Sequence, residues 1–249
     1  MQLVHCSYHK CLTVYFNSVM SRLFNRAWLP SKGYRHFNSH IDDFYLQLSS
    51  LSVASVNNHA LNLNRLGPRY RVTRFIRDPR DLIVSGYHYH RRGAEDWCHI
   101  IDPNEHDFSI VNGAIPENLP PGTSMASFLQ QVKQEEGLIA EIQFRARHFE
   151  SMRQWPEADR RIKLYRYEEI IGREPQTFES IAAFYGLGWP RRKLAGRYAR
   201  KYAASNVSGT TSHIRNASPN QWKSAFTPRV EAYFNERYSD IIERYGYDT

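Results

Sequence analysis

The alternation of short apolar runs with helical patterns constrains the fold more than any other feature of the sequence. Leu3 to Cys6 is an apolar run that predicts a strand, and Thr13 to Leu29 carries apolar residues at helical spacing. Further strands are predicted at 51–56 and 70–76. Strands that alternate with helices form parallel sheets covered on both faces. We therefore expect an α/β fold, a single domain over residues 1–249 with a central parallel sheet flanked by helices.

The second half of the chain continues this pattern around one irregular segment. We predict one long helix or two over 127–155, a strand at 162–165 and helices over 177–185 and 230–245. Residues 93–126 contain several prolines and glycines and little periodicity. Long irregular segments of this kind in compact chains are usually lids or binding surfaces. We interpret 93–126 as an insertion that forms a lid.

Charge and cysteine content narrow the class of protein. The formal net charge is +8, which favours anionic partners such as phosphates, nucleic acid, membrane surfaces or acidic substrates. The odd number of cysteines, Cys6, Cys11 and Cys98, argues against a disulfide framework and for a reducing compartment. No apolar run approaches about 18 residues and no signal peptide pattern is visible. We expect a cytoplasmic protein of bacterial origin without a membrane span.

The loop after the first predicted strand is a candidate anion site. The N–H groups at a helix N-terminus have no intrahelical acceptor, and the helix dipole adds partial positive charge there. Lys10 adds a full charge and Thr13 a hydroxyl, so together they are suited to hold a phosphate. The Gly-Lys-Ser/Thr pattern of magnesium–ATP loops is missing, which disfavours that kind of site.

A metal site at the same place is the alternative. His5, Cys6, His9 and Cys11 lie within seven residues. Zinc ligands usually come in spaced pairs from two chain segments, and a strand directs His5 and Cys6 to opposite faces. We therefore expect no metal.

The most informative run is FIRDPRDLIVSG at residues 75–86. A strand ends at Arg77, and Pro79 is suited to the start of the helix predicted over 81–90. Ser85 is expected about one turn into that helix. The Arg77 guanidinium and the Ser85 hydroxyl can therefore bind one anion together.

This run resembles the 3′-phosphate-binding motif of sulfotransferases that use 3′-phosphoadenosine-5′-phosphosulfate (PAPS), which is Arg-(Asp/Asn)-Pro-(Arg/Lys)-Asp-x-x-Val-Ser. The loop HKCLTVY at 9–15 resembles the 5′-phosphosulfate loop of the same family, Lys-x-Gly-Thr-Thr, with Leu12 at the glycine and Val14 at the second hydroxyl. LYRYEEI at 164–170 resembles the family's Tyr-Glu-Asp-Leu segment. RNA at 215–217, followed by QWK and FT, resembles its Arg-Lys-Gly, Asp-Trp-Lys and Phe-Thr segment. The resemblance implies a P-loop NTPase-like sulfotransferase fold.

The resemblance also implies roles for individual residues. Lys10 would neutralise charge on the leaving oxygen, and Thr13 and the loop N–H groups would hold the 5′-phosphate. Tyr15 would stack on adenine with Tyr167 near the same base; core packing is the alternative for both rings. The implied donor-binding residues, of which Arg77, Ser85 and Arg215 would hold the 3′-phosphate, are His9, Lys10, Cys11, Leu12, Thr13, Val14, Tyr15, Arg77, Ser85, Tyr167, Arg215, Asn216 and Ala217.

The catalytic base is open between several residues. His59 is the first candidate, because the family often carries a His upstream of the Arg-Asp-Pro motif, although a capping or solvated His59 fits as well. His40, Asp42 and Asp43 are the alternatives. We interpret His88, three residues after Ser85, as structural support near the site.

These residues predict a sulfotransferase that moves a sulfuryl group from PAPS to a hydroxyl or amine of a small-molecule or carbohydrate acceptor, leaving 3′-phosphoadenosine-5′-phosphate (PAP). Residues 93–126 would shape the acceptor pocket as a lid that orders on binding; they include Trp97, His99, Asp102, Glu105 and Phe108. We expect no nucleic-acid partner, and an oligomer is possible. The alternatives are a kinase-like nucleotide-binding enzyme, a basic non-enzymatic protein that binds polyanions, and a sulfotransferase fold without activity.

Overall fold

The structure, a computed structural model, describes residues 1–26, 31–38, 41–57, 61–156, 158–203 and 217–248. The chain forms two compact units. The first consists of Met1–Ile76 and Pro156–Ala217, and the second of Arg77–Trp155 and Ser218–Thr249.

The described residues form a mainly helical chain with one sheet. The strands are β1 (Gln2–Ser7), β2 (Tyr34–Phe37), β3 (Val53–Asn57), β4 (Tyr70–Ile76) and β5 (Ile162–Arg166). The helices are α1 (Thr13–Phe24), α2 (Ile41–Gln47), α3 (Pro79–Arg91), α4 (Met125–Gln131), α5 (Gln134–Phe144), α6 (Ala146–Gln154), α7 (Tyr167–Ile170), α8 (Glu174–Phe184), α9 (Trp189–Tyr202), α10 (Trp222–Ala225) and α11 (Pro228–Arg244).

The first unit contains the sheet, whose strand order is β2-β3-β1-β4-β5 with parallel pairing throughout the described strands. The central strands are almost fully buried because helices cover both faces of the sheet. β1 and β4 are neighbours, and Ser7 near the end of β1 pairs with Phe75 near the end of β4. Both strands therefore end at the same edge of the sheet. The α/β prediction with a central parallel sheet is confirmed.

Helices cover both faces of this sheet. The Phe16 ring of α1 stacks on His5, with centroids 3.5 Å apart. The Phe44 ring of α2 packs edge-on against Phe37 of β2 at 5.7 Å. Phe37 is in register with Val56, and Val56 with Cys6. Since His5 and Cys6 point to opposite faces, α1 and α2 lie on opposite faces of the sheet.

A buried polar row lies beneath α1. His5 Nδ1 is 3.0 Å from the Thr73 hydroxyl, which is 2.5 Å from the Tyr185 hydroxyl. Tyr185 donates to the Val4 carbonyl at 2.8 Å, so Thr73 donates to Tyr185 and His5 Nδ1 donates to Thr73. His5 Nε2 is buried without a hydrogen-bond partner in the described part of the chain. His5 is therefore held as the neutral Nδ1–H tautomer.

The second unit is built on α3, α5 and a buried ion cluster. Glu141 of α5 accepts a hydrogen bond from Arg145 at 2.7 Å and lies 2.7 Å from His90 Nδ1 of α3. All three side chains are fully buried. A Cβ atom on Gly86 would overlap the Glu141 carboxylate. The glycine therefore lets α3 approach α5 closely at this cluster.

The irregular segment contributes to the core of the second unit. Trp97 stacks on Phe144 at 5.4 Å with nearly parallel planes, and Phe108 packs edge-on against Phe144 at 5.6 Å. His148 Nε2 and the Val111 carbonyl form a hydrogen bond. The aromatic residues that we predicted for a pocket are thus buried among themselves, while Ile101, Asp102 and Glu105 remain exposed.

Several element boundaries differ from the predictions. α1 ends at Phe24 instead of Leu29, and the region 127–155 contains three helices, α4 to α6, instead of one or two. β2, α2 and α9 were not predicted at all. No helix among the described residues is long and apolar enough to span a bilayer.

Candidate active site

The loop between β1 and α1 has an unusual backbone. Cys11 N donates to the Tyr8 carbonyl at 3.0 Å, which closes a turn with Lys10 at its third position. Lys10 has φ 68° and Leu12 has φ 60°, both in the left-handed region that favours glycine. Left-handed residues among ordinary ones turn successive N–H groups toward one side and form an anion-binding concavity. The loop is therefore shaped for an anion despite having no glycine.

Leu12 is also the N-cap residue of α1. Its side chain has no oxygen that could accept a hydrogen bond from the first helical turn. The first intrahelical bond runs from Phe16 N to the Leu12 carbonyl at 2.9 Å. The N–H groups of Thr13, Val14 and Tyr15 consequently have no intrahelical acceptor, and the helix dipole adds positive potential. An anion at this helix end satisfies these donors.

Ser7 and Thr13 bring two hydroxyls together behind the loop. Ser7 Oγ is 2.7 Å from Thr13 Oγ1, which also donates to the Tyr8 carbonyl at 3.3 Å. Sequence reasoning missed Ser7 because it ends a strand two residues before the loop. Val14, at the position of the family's second hydroxyl, points outward and is 58% exposed. The second hydroxyl of this loop thus comes from β1.

Tyr15 is tied to α9. Its hydroxyl donates to the Ala199 carbonyl at 2.8 Å, and its ring packs edge-on against Phe178 at 5.2 Å. Burial, with a smaller contribution from Glu174, raises the pKa of the Tyr15 phenol. The Ala199 carbonyl lies in the last turn of α9, where carbonyls lack helical donors. Tyr15 thereby joins the loop helix to α9; adenine stacking stays a prediction.

The Arg-Asp-Pro motif forms a buried charge network in the second unit. Arg77 is the residue that follows β4, and its Nη2 lies 3.7 Å from Asp81 Oδ2. Asp81 also accepts hydrogen bonds from the backbone N–H groups of Asn220 at 2.7 Å and Trp222 at 3.0 Å. Burial raises the pKa of the Asp81 carboxyl, against the opposing effects of Arg77 and the Trp222 N–H. The network joins two motif segments that are far apart in the sequence.

Arg80 completes this network on its other side. Asp78 is the N-cap of α3 and binds Arg80 through two charge-assisted bonds of 3.0 and 2.8 Å. The Arg80 guanidinium lies 3.7 Å from the centroid of the Trp222 ring. Trp222 Nε1 is buried and has no partner among the described residues. Sequence reasoning assigned no role to Asp78, Arg80 or Trp222, although all three lie within the quoted motifs.

Ser85 lies farther along α3 than predicted. Because the helix begins at Pro79 instead of Asp81, Ser85 is its seventh residue, almost two turns from the start. It is half-buried, next to Gly86 at the ion cluster. His88 lies on the same helix and its ring contacts Tyr87 edge-on at 5.0 Å.

Tyr167 is held in the first unit by its hydroxyl, which donates to the Ala217 carbonyl at 2.7 Å. Its ring is buried. Arg215 and Asn216, the other two predicted residues of this segment, lie outside the described residues.

The predicted catalytic base is not described. His59 and the alternative His40 both lie outside the described residues. Asp42 and Asp43 lie in the first turn of α2, where both are exposed, and Asp42 pairs with Arg65 at 3.1 Å. The choice among these groups stays a prediction.

The profile of the sulfotransferase domain family matches residues 2–246, which include both compact units. The chain belongs to the sulfotransferase domain family. Transfer of a sulfuryl group is the general chemistry of this family, and the predicted resemblance to the family is confirmed. No curated protein matches the chain in a sequence search.

A solved sulfotransferase structure shares the fold of the chain. The mouse sulfotransferase SULT7A1 complexed with PAP is 17% identical with a TM-score of 0.51, over 96% of this chain and 84% of that chain. Retinol dehydratase in complex with androsterone and inactive cofactor PAP is 13% identical with a TM-score of 0.49, over 97% and 80% of the two chains.

Proposed function

We propose that this sulfotransferase takes its sulfuryl group from PAPS and releases PAP. The observation that carries the proposal is the Lys10–Leu12 backbone, which presents the α1 N-terminus and a lysine to an anion. In this assignment the loop N–H groups and Thr13 bind the 5′-phosphate.

The 3′-phosphate is assigned to Arg77, Ser85 and Arg215. β1 and β4 are parallel neighbours that end at one edge of the sheet, and Arg77 is the next residue after β4. Ligands of open parallel sheets bind beyond this edge. Trp222 Nε1 lies beside Arg80 and is a buried donor without an acceptor among the described residues, which supports a polar ligand at the network.

The chemistry follows from these positions. An acceptor oxygen or nitrogen forms a bond to sulfur while the bond from sulfur to the bridging oxygen of PAPS breaks, and the electron pair of that bond stays on the 5′-phosphate of PAP. Lys10 neutralises the charge that develops on this oxygen. Thr13 can donate to the phosphate when its oxygen accepts from Ser7 and its proton turns from the Tyr8 carbonyl to the phosphate, because each hydroxyl has one proton to give.

The acceptor must lose a proton, and we assign that step to His59, with His40, Asp42 and Asp43 as alternatives. The acceptor is a small molecule or carbohydrate, and we retain residues 93–126 as its lid. The exposed part of that segment, around Ile101 to Glu105, is the part suited to contact it. Protease protection of this segment by PAP tests the lid.

We propose that the reaction uses no metal and that the protein acts in the cytoplasm. His5 and Cys6 point to opposite faces of the sheet, which separates two of the candidate metal ligands. Cys6, Cys11 and Cys98 are buried thiols without disulfides, and burial raises the pKa of Cys6 and Cys98 to about 12. Such thiols fit a reducing compartment.

Calorimetric titration with PAP, AMP and ATP tests the proposed donor. We expect PAP to bind at least tenfold more tightly than AMP, since a desolvated phosphate–arginine pair contributes about 1.5–3 kcal/mol. Arg77→Ala should remove this advantage, whereas Arg160→Ala, at an exposed arginine, should keep it. Preference for magnesium–ATP would identify a kinase-like enzyme, and equal affinity for AMP and PAP would contradict the proposal.

A further inference from the structure

The charge of α9 differs sharply from that of the rest of the chain. Residues 180–230 contain nine Lys and Arg and no Asp or Glu, and six of these cations lie in α9. Arg197, Arg200 and Lys201 are exposed, as is Lys193, which pairs with Glu179 at 2.7 Å. Arg197 and Lys201 have no carboxylate partner in the described part of the chain. Four of the six cations of α9 therefore lie exposed along one side of the helix.

The opposite side of α9 is packed against the rest of the first unit. Ala195, Gly196 and Ala199 are buried, and a Cβ atom on Gly196 would lie 2.8 Å from the Glu179 carboxylate and 3.1 Å from the Pro175 carbonyl. These small residues let α9 lie close against α8. A helix packed this way presents a fixed outer face. We name this face, formed by Trp189, Lys193, Arg197, Arg200 and Lys201, the α9 basic face.

The α9 basic face runs along one side of the helix. Its five residues fall within an arc of about 120° and along about 18 Å of helix axis. A bilayer surface can meet such an array over its full length. Each Lys or Arg near an anionic leaflet contributes about 1 kcal/mol to binding.

Two exposed apolar side chains lie near the start of α9. Trp189 is 68% exposed and Met1 is 62% exposed. The Met1 methyl lies 3.9 Å from the position of a Cβ on Gly186, in the turn that leads to α9. A polar polyanion gives these side chains no apolar environment, whereas the interface of a bilayer accepts both a Trp ring and a thioether.

We propose that the α9 basic face docks the protein peripherally on membranes with anionic headgroups. The cations face the phosphates, and Trp189 and Met1 enter the interfacial layer. α9 is joined to the loop helix by the Tyr15–Ala199 hydrogen bond on its buried side, so docking holds the loop helix behind α9 as seen from the bilayer. The inference goes beyond the proposed function and does not rest on it.

Vesicle co-sedimentation tests the proposal with vesicles of phosphatidylcholine alone and with phosphatidylglycerol added at roughly one part in three. We expect binding only to the anionic vesicles and weaker binding at high salt. Arg197→Gln with Lys201→Gln should weaken binding about thirtyfold. The matched control, Lys133→Gln with Arg160→Gln, removes two exposed cations elsewhere and should change it less than about threefold.

Trp189→Ala separates the apolar contribution. It should weaken binding about fivefold and leave the salt dependence unchanged, because it removes no charge. Circular dichroism verifies that each variant is folded. Equal losses in the α9 and control variants would overturn the proposal, as would binding of heparin through Arg197 and Lys201 without binding of vesicles.

Discussion

The β1–α1 loop and the β4–α3 junction are both suited to anions, but they are built in opposite ways. The loop departs from the family pattern at Leu12 and Val14 and depends on its backbone, with left-handed residues at Lys10 and Leu12. The junction matches the pattern at every fixed position and depends on side chains, since Asp81 receives Arg77 and two backbone N–H groups.

This difference predicts that the loop tolerates side-chain changes better than the junction does. Backbone N–H groups are present whatever the side chain, so Leu12 can replace a glycine if the fold offsets its conformational cost. A buried carboxylate that holds a guanidinium and two N–H groups has no substitute of the same geometry. The comparison predicts large effects at the junction and small ones at Leu12.

The largest effect is expected at Asp81. Asp81→Ala removes the carboxylate beside the buried Arg77 guanidinium and the acceptor for the Asn220 and Trp222 N–H groups, which should lower the free energy of unfolding by about 3–5 kcal/mol. Urea denaturation measures this change. Asp96→Ala, at an exposed aspartate of the same unit, should cost less than about 0.5 kcal/mol. Similar losses in both variants would show that the network contributes nothing.

Lys10 should affect the reaction more than the fold. Lys10→Ala should lower kcat by about a hundredfold to a thousandfold, because one charge-stabilising group at the leaving oxygen is lost. Steady-state assays with PAPS measure it, and Lys133→Ala is the control at an exposed lysine. A changed KM with unchanged kcat would mean that Lys10 only binds the donor.

The buried row behind the loop predicts a pH effect. Burial, then the nearby His36, lowers the pKa of His5 well below 6.5 in the folded state. The unfolded chain therefore binds more protons below pH 6.5, and stability falls with decreasing pH by up to about 1.4 kcal/mol per unit. Urea denaturation at several pH values measures the slope. His5→Asn should reduce it, and an unchanged slope would exclude His5 as its source.

The smallest effect is expected at Leu12. Leu12→Gly removes a left-handed leucine and should raise the free energy of unfolding by about 0.5–1 kcal/mol. Val14→Gly, two residues along in the helix, should lower it by about 1 kcal/mol because glycine is a poor helix former. Thermal melting of both variants measures this opposite sign. A loss of stability in both would contradict the left-handed conformation of Leu12.

The sequence predicts the elements that carry a strong apolar pattern. β4 was placed at its observed boundaries, and α1 at its observed start, because their buried residues are large and periodic. α9 was missed because its buried face consists of Ala195, Gly196 and Ala199, which produce no apolar stripe. β2 is short, and two of its four residues, Arg35 and His36, are polar.

The sequence predicts the site residues that belong to a recognisable motif. It does not predict the residues whose role depends on which side chains they contact in the folded chain. Ser7 belongs to the candidate site because its hydroxyl lies 2.7 Å from that of Thr13, and the strand pattern in the sequence does not predict this contact. Trp97 and Phe108 were predicted for a pocket but pack on Phe144. Their segment is rich in proline and glycine and has no apolar periodicity, so the sequence does not indicate that its aromatic rings are buried. The motif identified Arg77, whereas the pairing of Asp81 with Arg77 and with the Trp222 N–H group is visible only in the structure.

The stoichiometry and competition of nucleotide binding test the central claim most directly. By calorimetry, we expect one PAP per chain, with adenosine 5′-phosphate and adenosine 3′-phosphate each displaced by it. Arg77→Ala should weaken the binding of PAP and of adenosine 3′-phosphate but leave that of adenosine 5′-phosphate unchanged. Lys10→Ala should weaken the binding of PAP and of adenosine 5′-phosphate but leave that of adenosine 3′-phosphate unchanged. Two PAP molecules per chain, or simultaneous binding of PAP and a monophosphate, would show that the loop and the junction serve separate ligands.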